Sequence, residues 1–160
     1  MLIYALDPGP AQSAIVGWDG QKLHVAEKLD NADLLAETIP GRGLVLEPGL
    51  LIIEQVASYG MAVGAEVFET VFFSGRMAQL WPWGFERMPR LMVKQHICHD
   101  SRAKDSNVRQ ALVDRFGPPD TKKAPNPVHN GFKVSKDVWQ AWALAVTWWD
   151  QYCDCRENYI

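Results

Sequence analysis

The sequence lacks the long hydrophobic runs of a membrane protein and the paired cysteines of a disulfide-stabilised one. No stretch of its 160 residues approaches the roughly 20 apolar residues that span a bilayer, and no basic segment precedes the first apolar run. Its three cysteines are odd in number, and the last two are too close for an easy bridge, which favours reduced thiols at Cys98, Cys153 and Cys155. Internal repeats and low-complexity segments are absent. We therefore expect a cytoplasmic protein with a single domain, residues 1–160.

An excess of one charge is also lacking overall, but the charges are unevenly placed along the chain. The formal net charge is only -3. Between Arg76 and Lys136, however, 12 Lys or Arg residues stand against five Asp or Glu, whereas the rest of the chain has four against 14. A basic middle third indicates a phosphate-binding face, and the alternative is an ordinary solvated surface on which the charges mix.

The first apolar run, Leu2–Leu6, ends in Asp7-Pro8-Gly9. Its length and boundaries predict a strand buried on both faces, which would deliver Asp7 to the edge of a sheet. An Asp before Pro-Gly is also typical of a simple turn. Two more strands are predicted at Ser13–Trp18 and Leu23–Lys28, joined by a hairpin at Asp19-Gly20.

A second buried strand with an acidic end follows a short predicted helix. The helix covers Asn31–Thr38, with Asn31 or Asp33 as its cap and Pro40–Gly43 as its end, and Leu44–Leu46 adds some extended structure. The continuous apolar run Leu50–Ile53 then predicts a central parallel strand that leads directly into Glu54. Glu54 is thus the expected companion of Asp7, although a glutamate at a strand end can also lie at the surface.

The second half of the chain predicts mainly helices. A loop at Ala57–Gly64 precedes a helix at Ala65–Trp81, whose apolar residues, including Val67, Phe68, Val71 and Phe72, are expected to pack on the sheet, with Gly75 in close contact with a neighbour. The further predicted elements are a strand at Arg90–Lys94, a helix at Lys104–Phe116, a loop at Pro118–Phe132 and a last helix from about Ser135 to Tyr152. Asp137 falls in the first turn of that last helix, where the helix dipole favours an acidic residue whatever its function.

The order of these elements and four of their fragments resemble the RuvC-like Holliday junction resolvases of the ribonuclease H-like superfamily. The fragments are Ile3–Gly9, Ile52–Val56, Val93–Gln95 and Asp137–Ala143. The resemblance implies an α/β fold with a mixed five-stranded sheet, in which an antiparallel three-stranded meander is extended by parallel strands and flanked by helices. It also implies a homodimeric, metal-dependent endonuclease for four-way or branched DNA. The compact chain looks most like the phage-encoded members.

The same resemblance implies a metal site formed by Asp7, Glu54 and Asp137, with two Mg²⁺ ions that Mn²⁺ can replace. Gln140 stands three residues after Asp137, where the family usually has a second Asp, and its neutral amide is a weaker ligand. Either the second ion binds less tightly, or another residue such as Asp100 substitutes, or activity is lost. In an alternative register Asp137 answers the family's second Asp, and three acidic ligands remain in either case.

The resemblance also assigns basic and aromatic residues. Lys94 and Lys104 match positions of lysines that assist catalysis, although both can equally be ordinary surface residues. Binding to DNA is expected mainly through phosphate contacts, with stacking from one aromatic side chain. The residues expected to bind DNA are Tyr59, Arg102, Lys104, Arg109, Lys122, Lys123, Lys133 and Lys136.

Other functions remain open at this point. A non-catalytic module that binds branched DNA would have the same fold and basic face, and Gln140 is compatible with it. Another ribonuclease H-like nuclease, specific for RNA–DNA hybrids or flaps, would share the acidic residues. A zinc site would use His96, Cys98 and His99 with Cys153 and Cys155, but their spacings fit no common structural zinc motif.

Overall fold

The computed structural model describes residues 1–38, 43 and 47–153. The predicted helix end at Pro40–Arg42, the extended segment Leu44–Leu46 and Cys155 lie outside these residues. Within them, no helix combines the length and hydrophobicity needed to cross a bilayer. The elements are β1 (Leu2–Asp7), β2 (Gln12–Trp18), β3 (Leu23–Asp30), α1 (Asn31–Glu37), β4 (Gly49–Gln55), α2 (Ala65–Leu80), β5 (Phe85–Pro89), α3 (Arg90–Cys98), α4 (Asp105–Phe116) and α5 (Lys136–Tyr152).

The five strands form one mixed sheet in the order β3-β2-β1-β4-β5. The first three strands are an antiparallel meander, while β4 and β5 run parallel to β1 and to each other. Parallel pairing requires crossover connections, and the chain makes the crossover from β4 to β5 through α2. This topology confirms the predicted fold class.

Helices cover both faces of the sheet, so that β1 and β4 are buried on both sides, as their continuous apolar runs predict. Ile3 and Ala5 of β1 face α3, α4 and α5, whereas Tyr4 and Leu6 face α1 and α2. The last helix, α5, is the centre of the first layer: every residue from Val138 to Trp148 is buried. This burial fixes the first turn of α5 against the ends of the central strands.

The predicted strand at Arg90–Lys94 is wrong: these residues form the first half of α3, and the fifth strand is Phe85–Pro89. The run Leu91-Met92-Val93 is too short to separate a strand from a helix by pattern, and only Val93 is buried, as expected for one helical face. The true strand was missed because β5 lies at the sheet edge with Glu86 and Arg87 exposed.

The helix α2 was predicted correctly, but its buried side was not. Thr70, Phe73 and Met77 are the buried residues, whereas Phe68 and Phe72 are 63% and 66% exposed. Val71 is also exposed. No atom of a neighbouring element lies within 4 Å of the position that a Cβ would take on Gly75, so the expected close contact there is wrong. Apolar residues on both sides of α2 hid which side faces the sheet.

Candidate active site

Asp7 and Glu54 lie at the carboxyl ends of two neighbouring parallel strands, as the last residue of β1 and the last but one of β4. Leu6 of β1 pairs with Ile53 of β4, and the two acidic residues follow this pair directly. Side chains alternate along a strand, so Asp7 lies on the same face of the sheet as Ala5, and Glu54 on the same face as Ile52. Ala5 and Ile52 both face α5. The predicted pair of carboxylates therefore lies at one end of the sheet, on the α5 side.

The backbone after Asp7 is fixed by a small polar network. Gly9 N donates to Ser13 Oγ at 3.1 Å, Ser13 Oγ donates to Asn31 Oδ1 at 2.7 Å, and Asn31 Nδ2 donates to Gly9 O at 2.9 Å. A Cβ on Gly9 would lie 2.3 Å from the Gln12 carbonyl oxygen, so only glycine fits. Asn31 is therefore a brace for this turn. The predicted cap role of Asn31 or Asp33 is wrong, since the N-cap residue of α1 is Asp30.

Asp137 faces the same cleft from the first turn of α5. Asp7, Asp137 and Lys28 line an opening of about 580 Å³. Lys28 Nζ lies 2.5 Å from Asp137 Oδ2, and both side chains are more than one-third exposed. The N-terminal turn of α5 also favours a negative charge at this position. The three predicted acidic residues therefore converge on one end of the sheet.

The protonation of Asp7 reflects this crowding. Its pKa is raised to about 7, first by burial and then by the negative charge of Glu54, while Arg90 opposes the shift and Asp137 and Asp105 add to it. A buried carboxylate among like charges binds a proton more tightly because its ionised form is poorly solvated and repelled. A cation that binds here and neutralises the carboxylates would therefore stabilise the ionised form of Asp7.

Two further charged residues belong to the cluster and were not predicted from the sequence. Arg90, the first residue of α3, donates through NH1 to both carboxylate oxygens of Glu54, at 2.9 and 3.2 Å, and through NH2 to Asp105 Oδ1 at 2.8 Å. Burial lowers the pKa of Arg90, but the ion pairs with Glu54 and Asp105 outweigh it and raise this pKa. The one signal in the sequence is that Asp105, like Asp137, opens a helix.

Gln140 lies beside this ion pair. Its Oε1 is 3.5 Å from Arg90 NH2, its Nε2 is 3.5 Å from the Asp105 carbonyl oxygen, and only 7% of the residue is exposed. The suggested substitute, Asp100, pairs with Arg102 instead, and Asp105 rather than Asp100 acts on the charge of Asp7. Among the described hydrogen bonds, the acidic residue that contacts Gln140 is thus Asp105.

The donor set fits a hard divalent cation, which prefers carboxylate oxygens. Within the part of the chain that is described, no three His, Cys, Asp or Glu side chains are already arranged around a metal position. In the cluster, Glu54 is paired with Arg90 and Asp137 with Lys28. His96, one of the residues considered for zinc, pairs with Asp150 at 2.8 Å.

The predicted basic residues divide into two groups. Lys94 lies 3.8 Å from Asp105 Oδ1, and Arg109 and Lys136 line a groove of about 670 Å³ together with Asp105 and Gln140. Lys104 is the exposed N-cap residue of α4. The other group has no contact with the cluster among the described interactions; it is exposed on loops and comprises Tyr59, Arg102, Lys122, Lys123 and Lys133.

The loop that carries Lys122 and Lys123 is attached at the far end of the sheet. Leu23 N donates to Val128 O at 2.9 Å, and Asn130 Nδ2 donates to Leu23 O at 2.9 Å. Leu23 begins β3, whose paired strand β2 runs antiparallel to β1, so this end is opposite to Asp7. The loop as a whole therefore connects the two ends of the α5 layer.

Comparison with solved structures identifies this architecture. The structure of Thermus thermophilus RuvC superposes with a TM-score of 0.60, at 16% identity, over 94% of this chain and 96% of that one. The complex of T. thermophilus RuvC with a Holliday junction substrate gives a TM-score of 0.65, at 14% identity, over 96% and 97% of the two chains. The chain has the RuvC fold.

Sequence comparisons add no relative: no protein-family model and no curated protein matches the chain. The RuvC fold, a ribonuclease H-like fold, accounts for the meander, the parallel strands β4 and β5 and the late helix α5. In this chain it brings Asp7, Glu54 and Asp137 to one end of the sheet, next to the basic groove between α4 and α5.

Proposed function

We propose that the protein is a metal-dependent, structure-selective endonuclease that hydrolyses phosphodiester bonds at four-way or otherwise branched DNA junctions. The observation that carries the proposal is the meeting of Asp7, Glu54 and Asp137 at the end of a RuvC-like sheet. The solved RuvC complex with a Holliday junction substrate supports branched DNA as the ligand class. The proposal includes that the enzyme is of the phage-encoded type and that it acts in the cytoplasm, where such DNA is accessible.

The carboxylates would hold Mg²⁺ or Mn²⁺, with Gln140 as a neutral neighbour. When bound, the ion supplies positive charge to phosphate oxygens and lowers the pKa of an attached water. In the hydrolysis, the attacking water would lose a proton to solvent as its oxygen forms a new bond to phosphorus, the ester P–O bond would break, and the leaving oxygen would take up a proton. The chain's own contribution is to hold Asp7 on a braced strand end and to keep Glu54 oriented through Arg90.

DNA would be bound through its phosphates along the groove between α4 and α5. Arg109 and Lys136 line this groove next to the acidic cluster, and Lys94 and Lys104 lie near its end. Binding of this kind depends on salt and reads shape more than sequence. Tyr59 supports stacking on an opened base, since it is 54% exposed and holds a left-handed backbone conformation, with φ of 48°, in the loop after Glu54.

A homodimer follows from the proposed reaction, because two symmetric cuts in a four-way junction need two sites related by a two-fold axis. The exposed apolar side of α2 supports the second copy as the occupant of this surface. Phe68, Val71 and Phe72 are all more than half exposed, and Phe72 lines a groove of about 750 Å³ between α1 and α2. Exposed aromatic residues of this density are typical of protein interfaces.

A second function is favoured by one observation, the neutral Gln140 beside Arg90. A chain with this substitution that had lost its metal would still present the groove and would act as a module that binds branched DNA without cutting it. A third alternative within the same chemistry is a nuclease for flaps or RNA–DNA hybrids, for which the acidic cluster serves equally well.

The test is cleavage of a labelled synthetic four-way junction in Mg²⁺ and, separately, in Mn²⁺, beside a flap, an RNA–DNA hybrid and a linear duplex. We expect paired symmetric nicks in the junction that disappear in Asp7→Asn and persist in the control Asp33→Asn, an exposed carboxylate of α1. A junction that is bound but uncut with both metals would establish the binding module instead. Preferred cleavage of the flap or the hybrid would establish the third alternative.

A further inference from the structure

Arg90 occupies the middle of the acidic cluster. Its guanidinium bridges three elements, since it contacts both oxygens of Glu54 on β4 and one oxygen of Asp105 on α4 from its own position on α3. A cation that is so held between two carboxylates is a fixed part of the site rather than a mobile surface group. With 29% of its side chain exposed, Arg90 also remains accessible to a ligand in the cleft.

Arg90 also lies next to Gln140, and this bears on how many metal ions the site can hold. The guanidinium NH2 lies 3.5 Å from Gln140 Oε1, at the position where the family usually carries a metal-binding Asp. With a neutral amide there, the cluster has one negative charge fewer than the family usually has. The permanent positive charge of Arg90 lies at the same place. Both differences disfavour a second divalent ion on the Glu54 side, because the guanidinium repels it and the amide binds it weakly.

We propose that Arg90 replaces the second metal ion of the site: the protein binds one divalent ion, on the side of Asp7 and Asp137, and the Arg90 guanidinium contacts the phosphate on the side of Glu54. The proposal rests on the proposed nuclease function. Arginine suits this role because it stays protonated, and the guanidinium keeps 29% of its side chain exposed while NH1 and NH2 hold Glu54 and Asp105. The resemblance to RuvC-like resolvases implies two ions, and this chain departs from that expectation.

Asp105 is the positioning residue for Arg90. It holds NH2 at 2.8 Å from the first turn of α4, and Lys94 Nζ adds a second cation 3.8 Å from the same oxygen. The Arg90 fork is thereby clamped between β4 and α4, which fixes its plane without covering it. Loss of Asp105 would leave the charge of Arg90 in place but free its orientation.

The number of bound ions tests the proposal without any substrate. Mn²⁺ is added to metal-free protein, and the free ion is measured by electron paramagnetic resonance. We expect one Mn²⁺ per chain in the wild type and in Gln140→Asp, and two in the double variant Arg90→Met/Gln140→Asp, which removes the guanidinium and restores the carboxylate. Two bound ions in the wild type would overturn the proposed role of Arg90 and leave the proposed nuclease function standing. No bound ion in the wild type would overturn the metal-dependent nuclease as well.

The contact of Arg90 with phosphate is tested by cleavage and binding together. In single-turnover reactions, Arg90→Met should cut the junction about 100-fold more slowly, the usual effect of removing one donor to a developing charge, while Arg90→Lys recovers part of the rate. Junction affinity measured in Ca²⁺ should change less than threefold in both variants. Thermal unfolding of Arg90→Lys, which keeps the charge beside Glu54, verifies the fold.

Arg87→Met is the matched control. Arg87 is exposed on β5 opposite Ile53, whose side chain packs on the other face of the sheet. Its cleavage rate should stay within about twofold of the wild type, as for a surface substitution outside the site. A rate for Arg90→Met equal to that of this control would overturn the proposed phosphate contact.

Discussion

Lys28 Nζ lies 2.5 Å from Asp137 Oδ2, across the opening that Asp137 shares with Asp7. Lys28 pairs with Ala14 on β2, and Ala14 pairs with Asp7 on β1, so lysine and aspartate occupy one row of the sheet. The Lys28 ammonium group is thus paired with Asp137, one of the carboxylates proposed to hold the metal. Because this ion pair is partly exposed, it is weak enough for a divalent ion to displace.

Removal of Lys28 should therefore tighten metal binding. An exposed ion pair contributes up to about 1 kcal/mol, so Lys28→Met should lower the Kd for Mn²⁺ about two- to fivefold in the absence of DNA. Isothermal titration of the metal-free protein measures this change. Lys22→Met, in the turn at the opposite end of the sheet, provides the control, and an unchanged or higher Kd in Lys28→Met would contradict the competition.

Asp7→Asn should abolish cleavage and yet stabilise the metal-free protein at high pH. The pKa of Asp7 is raised from 3.8 to about 7, mainly by burial and then by Glu54. The folded state therefore binds this proton more tightly than the unfolded state does, and the wild type loses stability as the pH rises through about 7.

At pH 8 the free energy of unfolding of Asp7→Asn should exceed that of the wild type by about 4 kcal/mol, and the difference should shrink as the pH falls to 5. Urea unfolding in EDTA measures both values. Asp33→Asn should show no comparable gain. If Asp7→Asn is no more stable than the wild type at pH 8, the surroundings of Asp7 do not destabilise its ionised form.

The basic residues should differ in their effect on junction binding. Arg109 and Lys136 line the groove beside the cluster, whereas Lys122 and Lys123 lie on the loop attached at the far end of the sheet. Arg109→Ala with Lys136→Ala should weaken binding more than Lys122→Ala with Lys123→Ala, and should reduce the slope of log K against log salt by about one to two. Fluorescence anisotropy between low and physiological salt measures the slopes. The reverse ranking would relocate the DNA path to the loop.

The exposed side of α2 should carry the dimer contact. Phe72→Glu places a charge on a side chain that is 66% exposed, so the monomer tolerates it, whereas an apolar interface does not. Sedimentation equilibrium should show a dimer for the wild type and a monomer for Phe72→Glu. Leu91→Glu, on an exposed position of α3, should remain dimeric. A dimer that persists in Phe72→Glu would place the contact elsewhere.

The parts of the fold that the sequence predicts are those with a local signal. The strands that end at Asp7 and Glu54 are continuous apolar runs between turn residues, and α5 is a long apolar run with an acidic first turn. Burial on two faces leaves such runs no alternative environment, so their positions follow from composition alone. The meeting of Asp7 with Glu54 then follows from the parallel order of the strands.

The charged partners of the site could not be predicted in the same way. Arg90 reaches Glu54 across 36 residues and Asp105 across 15, and such contacts depend on where α3 and α4 lie. The sequence pattern predicts a strand at Arg90–Lys94, and a strand there does not place Arg90 beside Glu54, whereas the observed helix α3 begins at Arg90. The side of α2 that faces the core was misjudged for a related reason, since Phe72 and Phe73 are adjacent and equally apolar.

The aromatic residues of α5 have an optical consequence. The indole of Trp142 lies 5.5 Å from Trp18 and 5.4 Å from Trp139, and Arg109 lies 5.8 Å above the Trp139 ring, in the groove proposed for DNA. Excitation energy passes readily between rings at this separation, and indole emission shifts with a nearby charge. A phosphate that draws Arg109 away from Trp139 would change the emission of the whole row. The core of the protein thus contains an intrinsic fluorophore array whose last ring lies at the groove.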